Sequence, residues 1–219
     1  MATLLLRLAA PLQSWGVSSK FEIRETTKEP TKSGVIGLVA AALGRSRDES
    51  VEDLSCLKFG VRIDQEGELL RDFQMVHGEK NSYVTHRYYL ADAIFLVGLE
   101  SKDILFLKEI KNALQHPAFP LFLGRRSCPP TFPLVLGIEE KPLFDALKEQ
   151  ESLVPQWRSK KNNLCRIVYD DPEKADKSSR TLDVPVSFSP LHREYGYRLV
   201  SEQHILMSGK EHDPMRELR

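Results

Sequence analysis

Residues 30–44 read PTKSGVIGLVAAALG, a complete helix signal from start to stop. Pro30 followed by Thr31 is a helix start, because a threonine side chain can accept from an orphan N–H of the first turn. Val35, Ile36, Leu38, Val39, Ala42 and Leu43 then recur at helical spacing, and Gly44 is a stop. Upstream, Thr3 to Leu8 is a leucine-rich run of strand length, and Pro11 to Thr27 reads as irregular. Downstream, Lys58 to Asp64 alternates Phe59, Val61 and Ile63 in strand fashion, and Ala93 to Leu99 is a second strong strand. Ile104, Leu105, Leu107, Lys108, Ile110, Ala113 and Leu114 mark another helix, which Pro117 ends, and Pro133 to Gly137 is a short apolar strand. Between the two middle strands, Glu68 to Leu90 is polar and aromatic. Its Tyr83, Thr85, Arg87 and Tyr89 alternate with Val84, His86, Tyr88 and Leu90, which predicts an inserted hairpin. Without the insertion the order is strand, helix, strand, strand, helix, strand. That is the split βαβ pattern, so the expected class is α+β with a ferredoxin-like sandwich. Two helices cover one face of such a sheet, and the other face is free to meet a ligand or an additional layer.

The expected organisation is a core over residues 1–140 with its insertion at about 68–90, and a β-rich C-terminal extension over 141–219 that packs on the core. Pro142 to Gln150 reads as a short helix. Pro155 to Arg180 holds seven Lys/Arg against four Asp/Glu and few large apolar residues, and 170–180 reads as an exposed loop. Leu182 to Phe188 and Tyr197 to Val200 read as strands returning to the body.

Lys+Arg and Asp+Glu both number 31 in 219 residues, so the formal net charge is zero. Free-standing nucleic-acid binders are usually basic, so any such role must rest on local patches or a shared assembly. Cys56, Cys128 and Cys165 lie far apart and fit neither a disulfide framework nor a zinc spacing, which points to a reducing cytoplasm. The apolar start lacks a basic leader and is broken by Arg7, so it reads as a core strand. No apolar run is long enough for a membrane span.

Residues 123–130, LGRRSCPP, place Arg125 and Arg126 beside a glycine with no acidic residue between Leu121 and Thr131. Phosphate contact and a solvated turn both fit this pattern. At 30–37, Lys32 and Ser33 stand at a helix N-terminus, where an anion is favoured; an ordinary cap fits too, and a nucleotide P-loop does not. Trp15, in Gln13-Ser14-Trp15-Gly16, suits either base stacking or closure of the core. The insertion carries Arg71, His77, Lys80, His86 and Arg87 with Phe73, Tyr83, Tyr88 and Tyr89, a mixture suited to RNA or a protein groove. The six histidines form no metal-ligand pair and no nucleophile elbow exists. His86, Lys80 and Tyr83 supply residue types for a metal-free RNA cleavage, but only by availability. No catalytic residue, metal or cofactor is expected.

Four segments in order, LLLRLAAPLQSWG (4–16), PTKSGVIGLVAAALG (30–44), RYYLADAIFLVGL (87–99) and LGRRSCPPTFPL (123–134), resemble the CasD family of CRISPR Cascade subunits, with a fainter echo at 184–200, VPVSFSPLHREYGYRLV. The resemblance implies an RRM-related, ferredoxin-like core of the RAMP type with a projecting thumb hairpin, which matches the insertion although this one is shorter. It implies a cytoplasmic, non-catalytic subunit that caps the 5′ handle of CRISPR RNA and contacts the Cascade backbone and large subunits. A counterpart in a related subtype is a metal-independent endoribonuclease, which is the alternative function. Carried onto this sequence, the resemblance assigns RNA contact to Arg125, Arg126, Ser127 and Cys128, and to Lys32 and Ser33. It also draws in Gln13 and Trp15, with stacking and packing still balanced for Trp15, and Arg87 and His86 in the thumb.

Overall fold

The computed structural model describes residues 1–16, 22–78, 81–154, 163–171 and 179–207. In chain order the elements are β1 (Ala2–Ala9), β2 (Leu12–Gln13), β3 (Ile23–Arg24), α1 (Lys32–Ala42), α2 (Glu52–Ser55), β4 (Lys58–Gln65), β5 (Glu68–His77), β6 (Ser82–Ala91), β7 (Ile94–Ser101), α3 (Ile104–Gln115), β8 (Val135–Glu139), α4 (Leu143–Glu149), β9 (Asn163–Asp170), β10 (Ser179–Ser187) and β11 (Glu194–Met207). The class is α+β, with a large antiparallel sheet and few helices. Seven strands follow the order β10-β11-β9-β4-β7-β1-β8. The hairpin β5–β6 stands outside that sheet; β5 fills one edge of β6, and β2 and β3 pair with the other edge.

The helix at 30–44 forms for the reason its sequence suggests. Thr31 is extended (φ −84°, ψ 149°), and its side chain accepts the Gly34 N–H at 3.2 Å. The apolar face of α1 joins that of α3 over one side of the sheet. There Val35, Ile36, Leu107 and Ile110 meet Leu4, Leu6, Phe59, Val61, Phe95 and Val97 in one core.

The other side of the sheet is not free. Leu5, Leu96, Ile167 and Tyr169 form a second core there with Leu143, Ala146 and Leu147 of α4. Both ends of this short helix are anchored by charges from the sheet. Glu100 accepts the Leu143 N–H at 2.6 Å. Arg62, fully buried, donates to the carbonyls of Leu147, Gln150 and Glu151 at 2.6, 2.5 and 2.9 Å, meeting the unpaired acceptors of a helix end. Asp64 balances the cation through two bonds of 2.6 and 2.8 Å. Gly98 permits the close approach, since a Cβ there would lie 2.6 Å from Leu143 Cδ1. Gly98→Val is therefore expected to lower stability by about 1–3 kcal/mol through overpacking. Urea unfolding monitored by circular dichroism measures it, and an unchanged midpoint would show that α4 is not packed as described.

Two sequence expectations need correction. The span 155–180 was expected to be poor in core residues, but it contains β9, which lies between β4 and β11 and buries Cys165, Ile167, Val168 and Tyr169. The polar residues around this short run hide its apolar content. The span Pro11 to Thr27, expected to be irregular, contributes β2 and β3, each of two residues and each defined by pairing with β6. Most of the loop expected at 170–180 lies outside the described residues.

Candidate nucleic-acid interface

Three of the motif segments come together at Ser14. Its N–H donates to the Leu123 carbonyl at 3.2 Å, and its hydroxyl donates to the Tyr88 carbonyl at 3.0 Å. Next to it, the Gln13 side-chain amide reaches the Ala93 carbonyl at 2.8 Å. The fourth motif arrives through Trp15, whose ring lies against Gly34 of α1. The arginine loop, the root of the hairpin, the entry to β7 and the first helix thus meet at one junction.

The loop itself is a tight reversal. The Leu123 N–H donates to the Cys128 carbonyl at 2.7 Å, and the Cys128 N–H donates to the Arg125 carbonyl at 2.9 Å. Gly124 adopts φ +83°. This geometry sends Arg125 and Arg126 to different surroundings. Arg125 is half-buried, with its guanidinium 4.7 Å from the centre of the Tyr89 ring and its Nη2 donating to the Arg24 carbonyl at 2.7 Å. Its Nη1 is buried with no hydrogen-bond partner. Arg126 and Ser127 are exposed.

Arg87 shares a face of β6 with Tyr89, by strand alternation, and is opposite Arg24 of β3 in register. Its Nε is also buried without a partner. Each orphaned donor of this kind costs about 1–3 kcal/mol. Arg24, Arg87, Arg125 and Arg126 make no ion pair with any carboxylate among the described residues. By contrast, Lys32, Arg45, Arg62, Arg166 and Arg198 are all paired.

The remaining predicted residues are placed differently. Lys32 is 5% exposed, and its ammonium pairs with Asp170 at 3.1 Å. The anion at the α1 N-terminus is the chain's own Asp183, which accepts the Lys32 backbone N–H at 2.9 Å. The Ser33 hydroxyl bonds to Thr31 within the cap. Trp15 is 1% exposed, and its indole donates to Gln13 Oε1. Gln13 is itself completely buried. Neither can offer a face to a base, and both close the core. Cys128 is buried, and burial pushes its thiol up, away from reactivity. His86 lies on the opposite face of the hairpin from Arg87, against Phe73 (6.0 Å between rings) and Arg71. Tyr83, three positions from His86, points to the face opposite His86, the one that Arg87 occupies. His86 and Tyr83 therefore do not form an acid–base pair, and Lys80 lies outside the described residues.

Sequence reasoning missed Arg24. Nothing local marks it, because β3 exists only through its pairing with β6. A cleft of about 680 Å³ between the hairpin root and the C-terminal strands holds none of the predicted residues. Its exposed Glu66, Glu68 and Asp92 would repel RNA. Among the described residues no group of three or more His, Cys, Asp and Glu could hold a metal, and no helix is long and apolar enough to cross a membrane.

The family description "CRISPR-associated protein (Cas_Cas5)" matches residues 3–201. The chain is 38% identical over 156 residues to "CRISPR system Cascade subunit CasD" of Escherichia coli (strain K12), covering 61% of this chain and 70% of that one. A solved "CRISPR RNA-guided surveillance complex" contains a chain of similar structure, with a TM-score of 0.81 and 32% identity over 94% of this chain and 90% of that one. A "Crystal structure of Cas protein" matches with a TM-score of 0.74 and 39% identity, over 93% and 95% of the two chains.

Proposed function

Because this chain belongs to the Cas5 family of CRISPR-associated proteins, we propose that it is a non-catalytic subunit of a Cascade-type surveillance complex that holds the 5′ handle of CRISPR RNA. The observation that carries this reading is the convergence of Arg24, Arg87, Arg125 and Arg126, none of them ion-paired, on the junction where the family motifs meet. Unpaired guanidiniums on a stitched loop suit a phosphate chain. A short single strand has no groove to read, so it must be held through phosphates and splayed bases. With α4 covering the sheet face that the helices leave open, that face is not available to such a ligand, whereas the loop and hairpin root are.

The reading extends to fold and partners. The inner strand order β4-β7-β1-β8, with α1 and α3 on one face, supports a ferredoxin-like core. We divide the chain at about residue 140, because everything beyond β8 adds to that core: α4 on its second face and β9–β11 along its edge. The side of the hairpin away from Arg87 exposes Leu69, Phe73 and Met75, a composition suited to protein contact. Neighbouring backbone and large subunits are the partners we assign, in a cytoplasmic complex.

Arg126→Gln is expected to weaken binding of labelled single-stranded repeat RNA about tenfold, as for a lost charge-assisted bond. It should also flatten the salt dependence by about 0.7 in log–log slope, as one phosphate contact disappears. Unchanged affinity and slope would remove the loop from the interface. Metal-free cleavage of the same RNA, lost on His86→Ala, would overturn the non-catalytic assignment.

A further inference from the structure

We propose that Arg125 and Arg87 form a two-arginine seat for a single backbone phosphate, separate from the contact made by Arg126; this rests on the RNA-binding reading above. Arg125 is clamped by the Tyr89 ring at 4.7 Å and by the Arg24 and Glu25 carbonyls, at 2.7 and 3.4 Å from Nη2. Its position is therefore set before any ligand arrives, and its Nη1 is the nitrogen left over. Arg87 lies two residues before Tyr89 on the same face of β6, opposite Arg24, with Nε left over.

No side chain of the described residues supplies the missing acceptor. Asp72, opposite Arg87 across the hairpin, accepts instead from Gln74 at 2.8 Å. Arg87 and Arg125 carry two positive charges on one side of the hairpin root with no carboxylate in ion-pair contact with either, and an oxyanion between them relieves both. A neutral acceptor would leave the charge uncompensated. A phosphodiester brings one negative charge and two non-bridging oxygens, one for each guanidinium. Both donors are covered, so engaging the phosphate requires them to be uncovered; Arg87, held by no side-chain hydrogen bond among the described residues, is the one free to turn outward. Arg126, exposed and outside this clamp, is left for a second phosphate.

The test measures the salt dependence of affinity between the full chain and a fluorescein-labelled single-stranded repeat RNA. Arg87→Gln and Arg125→Gln should each flatten the slope by about 0.7, and the double variant by no more than either alone. Arg126→Gln should remove a further, independent decrement in every background. Additive decrements in the Arg87/Arg125 double variant, or none in either single, would overturn the seat. If Arg126→Gln still weakens binding in that case, the RNA reading survives; if no arginine variant changes binding, the RNA reading fails as well. Should Arg125→Gln unfold at the assay temperature, Arg125→Lys replaces it. Arg125→Lys is expected to keep the slope and lose affinity severalfold, with non-additivity toward Arg87→Gln, and additivity there counts equally against the seat.

Discussion

Gly124→Ala is expected to lower affinity for single-stranded repeat RNA by at least about thirtyfold and stability by about 3 kcal/mol. Two costs combine. The residue sits at φ +83°, a region that an alanine enters only with strain. A Cβ there would also lie 1.7 Å from the Ser14 carbonyl oxygen, a backbone atom that cannot swing aside. The loop must lift off Ser14, breaking the Ser14–Leu123 bond, and Arg125 then leaves the Tyr89 ring and the Arg24 carbonyl. Gly137→Ala is the control. Its new Cβ would meet nothing within 4 Å, so both measurements should stay near wild type. Wild-type RNA affinity in Gly124→Ala, measured by fluorescence anisotropy beside a thermal melt, would separate the loop from RNA binding.

Asp183→Ala is expected to destabilise the fold by about 3–5 kcal/mol, the usual result of stripping one partner from a buried ion network. The Asp183 side chain is 1% exposed. It accepts from Arg198 Nε at 2.6 Å, Arg198 Nη2 at 3.0 Å and the Lys32 N–H at 2.9 Å. Asp170 accepts from the same Arg198 at 2.6 Å and also pairs with the Lys32 ammonium at 3.1 Å. Two positive and two negative groups thus balance where α1, β9, β10 and β11 meet. Removing Asp183 leaves a net positive charge inside and an uncapped helix N–H. Asp183→Asn should recover little, since one carbonyl oxygen replaces two charged acceptors. Urea midpoints of the two variants measure this, and a midpoint within error of wild type would show that the network contributes no net stability. RNA affinity of the folded fraction should be unchanged, because neither Asp183 nor Arg198 touches the arginine loop.

The placements of Lys32 and Trp15 show where reading the sequence stops. A lysine and a serine at a helix start fit an anion site, and the site does hold an anion, but Asp183 supplies it from 151 positions away. Trp15 could stack or pack, and the space beside Gly34 decides for packing. Arg125 and Arg126 are adjacent in sequence, yet only one of them is exposed.

Periodicity, caps and breakers are local, so the strands at 58–65 and 94–101, the capped helix after Thr31, the helix at 104–115 and the inserted hairpin are legible from residue order alone. Residue order also singled out the loop at 123–128, through two arginines with no nearby acid. That α4 covers the second face of the sheet, that β9 lies inside it and that Arg24 is opposite Arg87 are visible once the chain is folded. Folding also settles which cations are already neutralised. The cause is distance along the chain: Lys32 meets Asp170 across 138 positions and Arg125 meets Arg24 across 101. A charge becomes available for RNA or is consumed by the fold only when such distant partners are brought within a few ångströms, and no local pattern encodes that.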